Sequence, residues 1–355
     1  MLCTAGLNTS NLQKDVPLAP LTTLRVGGNA RFFVRAMSES DVIDAVEFAR
    51  GEGIGLFVLG GGSNVLISDN GFDGLVLQVS VPGVSVLVDG VLSVGAGEDW
   101  DSFVAYCVEN GMAGVECLSG IPGFVGGTPV QNVGAYGQEV SETIVSVRCL
   151  DLASGDVVTL ANSDCGFSYR TSIFNTTDRG RYIVLNVTYA LKSGGHPRLV
   201  YKDLSEHFGD SEPSISEVRD AVLSIRRSKS MVIDEADPNS RSAGSFFKNP
   251  LIERSMLAEL EAGGAPVPYF DAGEKVKIPA AWLIGRAGFS KGYILGNAGI
   301  SLNHNLALIN RGGASADELM SLQRKIRDAV HGQFGIELVP EPVFVGFKNT
   351  SASNS

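Results

Sequence analysis

Residues 118–137 read Leu-Ser-Gly-Ile-Pro-Gly-Phe-Val-Gly-Gly-Thr-Pro-Val-Gln-Asn-Val-Gly-Ala-Tyr-Gly, a run that neither helix nor plain strand can accommodate. Gly120, Gly123, Gly126, Gly127 and Gly134 are interleaved with Pro122 and Pro129. Each proline removes a backbone donor, and each glycine weakens a regular element. An irregular stretch this long inside a compact domain is unusual unless it serves a function. It is also too apolar to be a solvated loop, and a buried loop needs partners for its backbone. The sequence therefore predicts a loop wrapped on a bound group. Gln131, Asn132 and Tyr136 can bond or stack on a flat heterocycle.

A second glycine cluster lies upstream. Val58-Leu-Gly-Gly-Gly-Ser-Asn-Val-Leu-Ile67 places Gly60, Gly61 and Gly62 between two apolar segments. Consecutive glycines can turn several backbone N–H groups toward one anion, forming a nest for phosphate. Ser63 and Asn64 add side-chain hydrogen bonds. Taken alone, three glycines are also compatible with an ordinary tight connection.

The surroundings read as mixed α/β, in the α+β class. Ser40 is the expected cap of a helix burying Val42, Ala45, Val46 and Ala49, and Trp100, Phe103, Val104, Cys107 and Val108 form a second stripe at helical spacing. Ser214 with Glu217, and Ser315 with Glu318, are capping boxes ahead of apolar stripes. Leu56–Leu59 reads as a short buried strand and Tyr182–Leu191 as a half-exposed one. Asp89-Gly90 between two valine-rich runs is a hairpin signal. Such hairpins argue against a purely parallel, doubly wound sheet. The 355 residues, 44% hydrophobic, suffice for two or three domains. The breaker-rich Lys192–Pro197 suggests a boundary. The expected partition is an extension over 1–20, a cofactor domain over 21–192 with lobes near 21–80 and 81–192, a smaller α+β domain over 193–347, and a frayed tail over 348–355.

Several function classes are disfavoured. A net charge of −11 repels phosphate backbones and anionic lipid surfaces, so neither nucleic acid nor membrane is an expected partner. No apolar run approaches the ~20 residues of a membrane span. The N-terminus does not read as a secretory signal, and a cytoplasmic monomer is expected. Five cysteines without a Cys-x-x-Cys pair read as reduced, buried thiols. The sequence has no G-x-G-x-x-G and no P-loop, and its four scattered histidines suggest no metal site.

With both glycine segments in view, the chain resembles the UDP-N-acetylenolpyruvoylglucosamine reductase family from about Leu21 to Val345. Its GGGSN and SGIPGFVGGTPVQNVGAYG segments look like the two-part FAD-binding domain of the vanillyl-alcohol oxidase type. The resemblance implies FAD on these loops, at Gly60, Gly61, Gly62, Ser63, Asn64, Ser119, Gly120, Pro122, Gly123, Gly126, Gly127, Gln131, Asn132, Gly134, Ala135 and Tyr136. It implies NADPH as the hydride source, and reduction of UDP-N-acetylglucosamine enolpyruvate to UDP-N-acetylmuramate in peptidoglycan precursor synthesis. A different flavin-dependent oxidoreductase of the same fold is the alternative, and a non-catalytic nucleotide-sugar binding module is a rival of another class.

The resemblance also assigns three catalytic positions. Arg170, within Tyr-Arg-Thr-Ser, would grip a carboxylate bidentately and stay charged at any working pH. Ser245, in Gly-Ser-Phe-Phe, would be the proton donor, needing positive character nearby to favour the alkoxide it leaves. Glu341, fixed between Pro340 and Pro342, would face the substrate carboxylate. Two facing carboxylates repel, so Glu341 is expected to carry a proton when substrate is bound. Tyr201, Lys229, Asn249, Tyr269 and Lys277 are implied at the substrate diphosphate. His304 is expected to be structural.

Overall fold

A computed structural model describes residues 11–262 and 266–347. The expected tail, Cys3 and the first ten residues of the expected extension lie outside the described residues. The chain divides into two compact units. Among the described residues, 11–16, 30–62 and 73–232 form the first; 17–29, 63–72, 233–262 and 266–347 form the second.

The first unit holds a four-stranded and a five-stranded sheet, besides two short two-stranded pairs. The four-stranded sheet has the strand order Gln13–Pro17, Asn29–Ala36, Phe72–Val79, Gly55–Leu59. Its last two strands run parallel, with Leu56 opposite Leu75. Helix α1 (Glu39–Gly51) buries Val42, Ala45, Val46 and Ala49, the expected stripe. Its cap is Ser38 rather than Ser40: the Ser38 hydroxyl accepts from Asp41 N at 3.1 Å, while Ser40 Oγ only contacts Ser38 Oγ. Leu56–Leu59 is a strand, but only Leu59 in it is buried. It lies at a sheet edge, so its apolar run is covered less than a central strand would be.

The larger sheet has five antiparallel strands in the order Val157–Ala161, Ile144–Asp151, Tyr182–Ala190, Val91–Gly95, Val84–Val88. The expected hairpin turns through Asp89-Gly90, with Gly90 at φ +74°. Tyr182–Ala190 is more buried than an alternating pattern predicts, because it is the central strand. Helix α2 (Trp100–Glu109) begins at Asp99, whose side chain accepts from Ser102 N, and buries Trp100, Phe103, Val104 and Cys107. Trp100 Nε1 donates to Leu118 O at 3.0 Å, fixing the entry of the long glycine loop.

Two helices after Lys192 also pack in the first unit: α3 (Lys202–Phe208) and α4 (Ile215–Ser228). The expected Ser214/Glu217 capping box starts α4. Its Val218, Ala221 and Val222 pack with Leu204 and with Cys117, immediately before the glycine loop.

The second unit pairs Val65–Ile67 in parallel with Val343–Val345. It adds two three-stranded antiparallel sheets, ordered Leu251–Glu253, Lys275–Lys277, Phe270–Ala272 and Ile294–Leu295, Ala298–Ile300, Leu308–Asn310. Helices α5 (Arg254–Ala262), α6 (Ala280–Arg286) and α7 (Ala316–Phe334) complete it. The Ser315/Glu318 box caps α7, which buries Leu319, Leu322, Ile326 and Val330. Phe246 and Phe247, at 0% and 1% exposure, sit in this core. Burying each contributes about 1.5–3 kcal/mol.

Candidate active site

The two glycine segments meet backbone to backbone. A Cβ on Gly61 would lie 2.6 Å from Gly123 Cα and 2.9 Å from its carbonyl carbon. Gly126 is equally confined, 2.6 Å from the Ala96 side chain. The long loop is pinned by Trp100 N→Gly123 O, Val125 N→Glu98 O and Gly126 N→Ala96 O, each 2.9 Å. Gly60 and Gly127 behave differently: a Cβ on either would enter open space. Gln78 Nε2 holds Gly60 O at 3.2 Å. Close approach at Gly61 locks the two segments together, whereas no neighbouring atom confines Gly60 or Gly127.

Two polar residues of the loop bind the protein itself. Ser119 Oγ donates to Glu116 O at 2.6 Å. Asn132 is buried at φ +44°; its amide nitrogen donates to Glu139 and to Ser168 O, and its oxygen accepts from Ser141 N. Gly120 N donates to Asp101 at 2.6 Å, and Arg219 clamps the same carboxylate at 2.6 and 3.0 Å. Burial opposes the charge of Asp101, but the Arg219 and Gly120 hydrogen bonds prevail and hold its pKa below the usual 3.8. The loop entry is thus stapled to α2 and α4.

Arg170 closes the far end. Its Nη2 donates to Gly134 O at 2.7 Å, and Asn175 Nδ2 donates to Arg170 O. Tyr136 and Arg170 are both in the left-handed region, φ +48° and +54°, costly for residues with a Cβ. Tyr136 stacks edge-on against Tyr201, centroids 5.3 Å apart. Lys229 lies over the Tyr136 ring at 6.0 Å and pairs with Asp203 at 3.2 Å. Tyr136, Tyr201 and Lys229 therefore form one cluster within the first unit.

Sequence reasoning overlooked Arg226 in this cluster. Its side chain is buried, Nη2 donates to Met231 O at 2.8 Å, and Nε has no hydrogen-bond partner. Burial lowers its pKa, opposed by the nearby Tyr136 and Asp101. The signal was available: Arg226 falls four residues after Val222, on the apolar stripe of α4, where a solvated arginine has no place.

In the second unit, the backbone beside Ser245 is bonded to the segments that carry His304 and Glu341. Phe246 N donates to Leu306 O at 2.8 Å on one side, and Glu341 N donates to Phe246 O at 2.9 Å on the other. Asn64 Nδ2 reaches Glu341 O at 3.3 Å, and Val343 N donates to Asn64 O, so the end of the GGGSN segment supports the Pro-Glu-Pro turn. Ser245 Oγ lies 3.1 Å from His304 Nε2. His304, expected to be structural rather than catalytic, is in contact with the proton-donor candidate. Arg170 belongs to the other unit.

Asn249, Tyr269 and Lys277 are brought to one end of a small sheet. Leu251 and Phe270 both pair with Lys277, Asn249 lies two residues before Leu251, and Tyr269 immediately precedes Phe270. Asn249 Oδ1 accepts from Ala280 N, fixing the start of α6. Tyr269 is exposed. Among the described residues, no group of three acidic, histidine or cysteine side chains could hold a metal, and no helix is long and apolar enough to cross a membrane.

Comparison with known proteins separates these two regions as well. Residues 30–161 match the FAD binding domain, and residues 237–345 match the C-terminal domain of UDP-N-acetylenolpyruvoylglucosamine reductase. The reductase of Thermobifida fusca is 47% identical over 95% of this chain and 99% of its own length. The chain belongs to the UDP-N-acetylenolpyruvoylglucosamine reductase family. The Streptomyces coelicolor member is also 47% identical, over 94% of this chain and 90% of its own. The crystal structure of the Thermus caldophilus reductase superposes with a TM-score of 0.66 at 26% identity, covering 93% of this chain and 97% of that one. The protein is thus an FAD-binding oxidoreductase of mixed α/β fold. The FAD-binding match includes Gly60 and Gly127, where a Cβ would meet nothing within 4 Å.

Proposed function

We propose that the protein reduces UDP-N-acetylglucosamine enolpyruvate to UDP-N-acetylmuramate, with NADPH as reductant, in the cytoplasmic synthesis of peptidoglycan precursors. The observation that carries the reading is the clamp on Ser245. Its backbone neighbour Phe246 is bonded on one side to the loop of His304 and on the other to Glu341. The segments that carry Ser245 and Glu341 are thereby joined through their main chains, which supports reading the two as partners in one step.

FAD, when bound, supplies the hydride that NADPH delivers to it. Addition at the β-carbon of the enol ether leaves an electron pair on the α-carbon, spread into the carboxylate. Ser245 gives its hydroxyl proton to that carbon. Arg170 grips the carboxylate, and Glu341, protonated, donates a hydrogen bond to it as charge accumulates. The family resemblance assigns Tyr201, Lys229, Asn249, Tyr269 and Lys277 to the substrate diphosphate, and Arg226 adds a buried cation beside Tyr136. The glycines Gly60, Gly61, Gly62, Gly120, Gly123, Gly126 and Gly127 let backbone come close to FAD, with Gly134 shaping the turn that Arg170 holds.

The deciding experiment is anaerobic. Purified protein is reduced with NADPH, its flavin absorbance followed, and the enolpyruvyl sugar then added. Prompt reoxidation in the wild type, stalled in Ser245→Ala, is expected. A reduced wild-type flavin that the sugar leaves untouched refutes the substrate assignment and favours another flavin-dependent oxidation or reduction.

A further inference from the structure

We infer that His304 is a positioning residue for Ser245, donating a hydrogen bond from Nε2 to the serine oxygen so that the serine proton is left pointing at substrate. The inference rests on the reading of Ser245 as the proton donor. Its starting point is the 3.1 Å contact between Ser245 Oγ and His304 Nε2, made by residues 59 apart in sequence.

The contact is built by backbone rather than left to two mobile side chains. Phe246 N→Leu306 O ties the residue after Ser245 to the loop that carries His304. That loop is itself held firmly. Asn239 Oδ1 accepts from Leu302 N at 2.9 Å, Ala307 N donates to His304 O, and Ser301 N donates to Ala307 O. Asn305 Nδ2, one residue on, donates to Ala281 O at 3.0 Å. A surface histidine of incidental role does not need a loop anchored at 301, 302, 304, 305, 306 and 307.

The direction of the hydrogen bond decides the chemistry. If Nε2 accepted, the serine proton would point at the imidazole and be withheld from carbon. With Nε2 donating, one lone pair of Oγ is occupied and the hydroxyl proton is free to face the substrate. In the step, the electron pair on the α-carbon takes that proton, a C–H bond forms and the O–H bond breaks. Oγ keeps the bonding pair, and its negative charge is met by the Nε2–H donor. Oγ regains a proton from water before the next turnover. His304 thereby supplies the positive character that a weakly acidic hydroxyl requires.

Two measurements test this. In the apoprotein, 15N-imidazole NMR should show His304 protonated on Nε2, with that resonance moving in Ser245→Ala; a ring carrying its proton only on Nδ1 overturns the inference. In the FAD-loaded enzyme, His304→Phe keeps ring volume but removes the donor. Flavin reduction by NADPH should proceed as in the wild type, while reoxidation by the enolpyruvyl sugar slows by about 10²-fold and acquires a larger solvent isotope effect. His304→Gln, which retains an N–H at similar reach, should recover part of the rate. Reoxidation of His304→Phe at the wild-type rate overturns the inference, as does failure of His304→Gln to exceed it. A wild-type enzyme that the sugar does not reoxidise is a separate outcome: it removes the substrate reading, and the NMR result then stands or falls alone.

Discussion

Gly61→Ala is the substitution whose cost can be worked most directly from the structure. The new Cβ would lie 2.6 Å from Gly123 Cα, 2.9 Å from its carbonyl carbon and 3.1 Å from Phe124 N. All three are backbone atoms, so no rotamer change relieves the contact. One segment must move by roughly an ångström to restore ordinary van der Waals separation. The long loop resists, because Gly123 O accepts from Trp100 N and Val125 N is bonded to Glu98 O. Overpacking of this kind costs about 1–3 kcal/mol. At about 2–4 °C per kcal/mol for a unit of this size, the apoprotein should melt several degrees lower. Gly127→Ala is the matched control: its Cβ meets nothing within 4 Å, and its φ is not in the left-handed region. That variant should melt like the wild type yet bind FAD more weakly, since the new methyl enters the open space. Differential scanning fluorimetry of apoprotein, with flavin retention on a desalting column, reads both quantities. An unshifted melting temperature for apo Gly61→Ala would refute the claim that the two loops are locked together.

Other consequences are open to measurement. Glu341→Gln should keep far more activity than Glu341→Ala, because an amide still donates a hydrogen bond; equal collapse of the two counts against a protonated Glu341. Burial pushes the thiols of Cys107, Cys117 and Cys149 up to about 12 and that of Cys165 to about 11. These four should therefore resist iodoacetamide in the native protein at pH 8 and react on unfolding, and mass spectrometry finding any of them labelled in the native state contradicts that burial. Asp101 has a lowered pKa, so its contribution to stability is complete above the unfolded value of 3.8 and fades as pH falls through the folded one. Asp101→Asn should be less stable near neutrality and lose less on acidification below pH 4; parallel denaturation curves against pH would exclude the linkage. Phe246→Ala removes a fully buried ring that anchors Ser245. A loss of about 3–5 kcal/mol in urea unfolding is expected, and a loss below 1 kcal/mol would contradict the anchoring.

Much of the architecture was legible because local signals and packing agreed. The boxes at Ser214 and Ser315 and the Asp89-Gly90 hairpin need only neighbouring residues to form. The glycine loops were legible for the opposite reason: no long regular element could use Gly120 to Tyr136, which holds only a 3-10 turn at Val125–Gly127 and the two-residue strand Gly134–Ala135. Errors arose where several residues could fill one role. Ser38 and Ser40 both precede the α1 stripe, and which hydroxyl reaches the Asp41 amide depends on where the helix turns in. The exposure of Leu56 to Val58 follows from strand order, which an apolar run does not encode. The contact of His304 with Ser245 was invisible for the same reason as any contact made across 59 residues. Arg226 could have been found, since a cation on an apolar helix stripe requires an explanation.

The composition of the second unit has a consequence for how such a protein can be rearranged. Its C-terminal portion depends on Val65–Ile67 for the strand beside Val343–Val345, and on Leu24, Val26 and Leu66 for part of its core. Cutting the gene after residue 232 would separate these segments from the rest of their own hydrophobic interior. Neither half is a transplantable cassette. Recombination with a distant homologue should yield soluble chimaeras only when residues 17–29, 63–72 and 233–347 are inherited from the same parent.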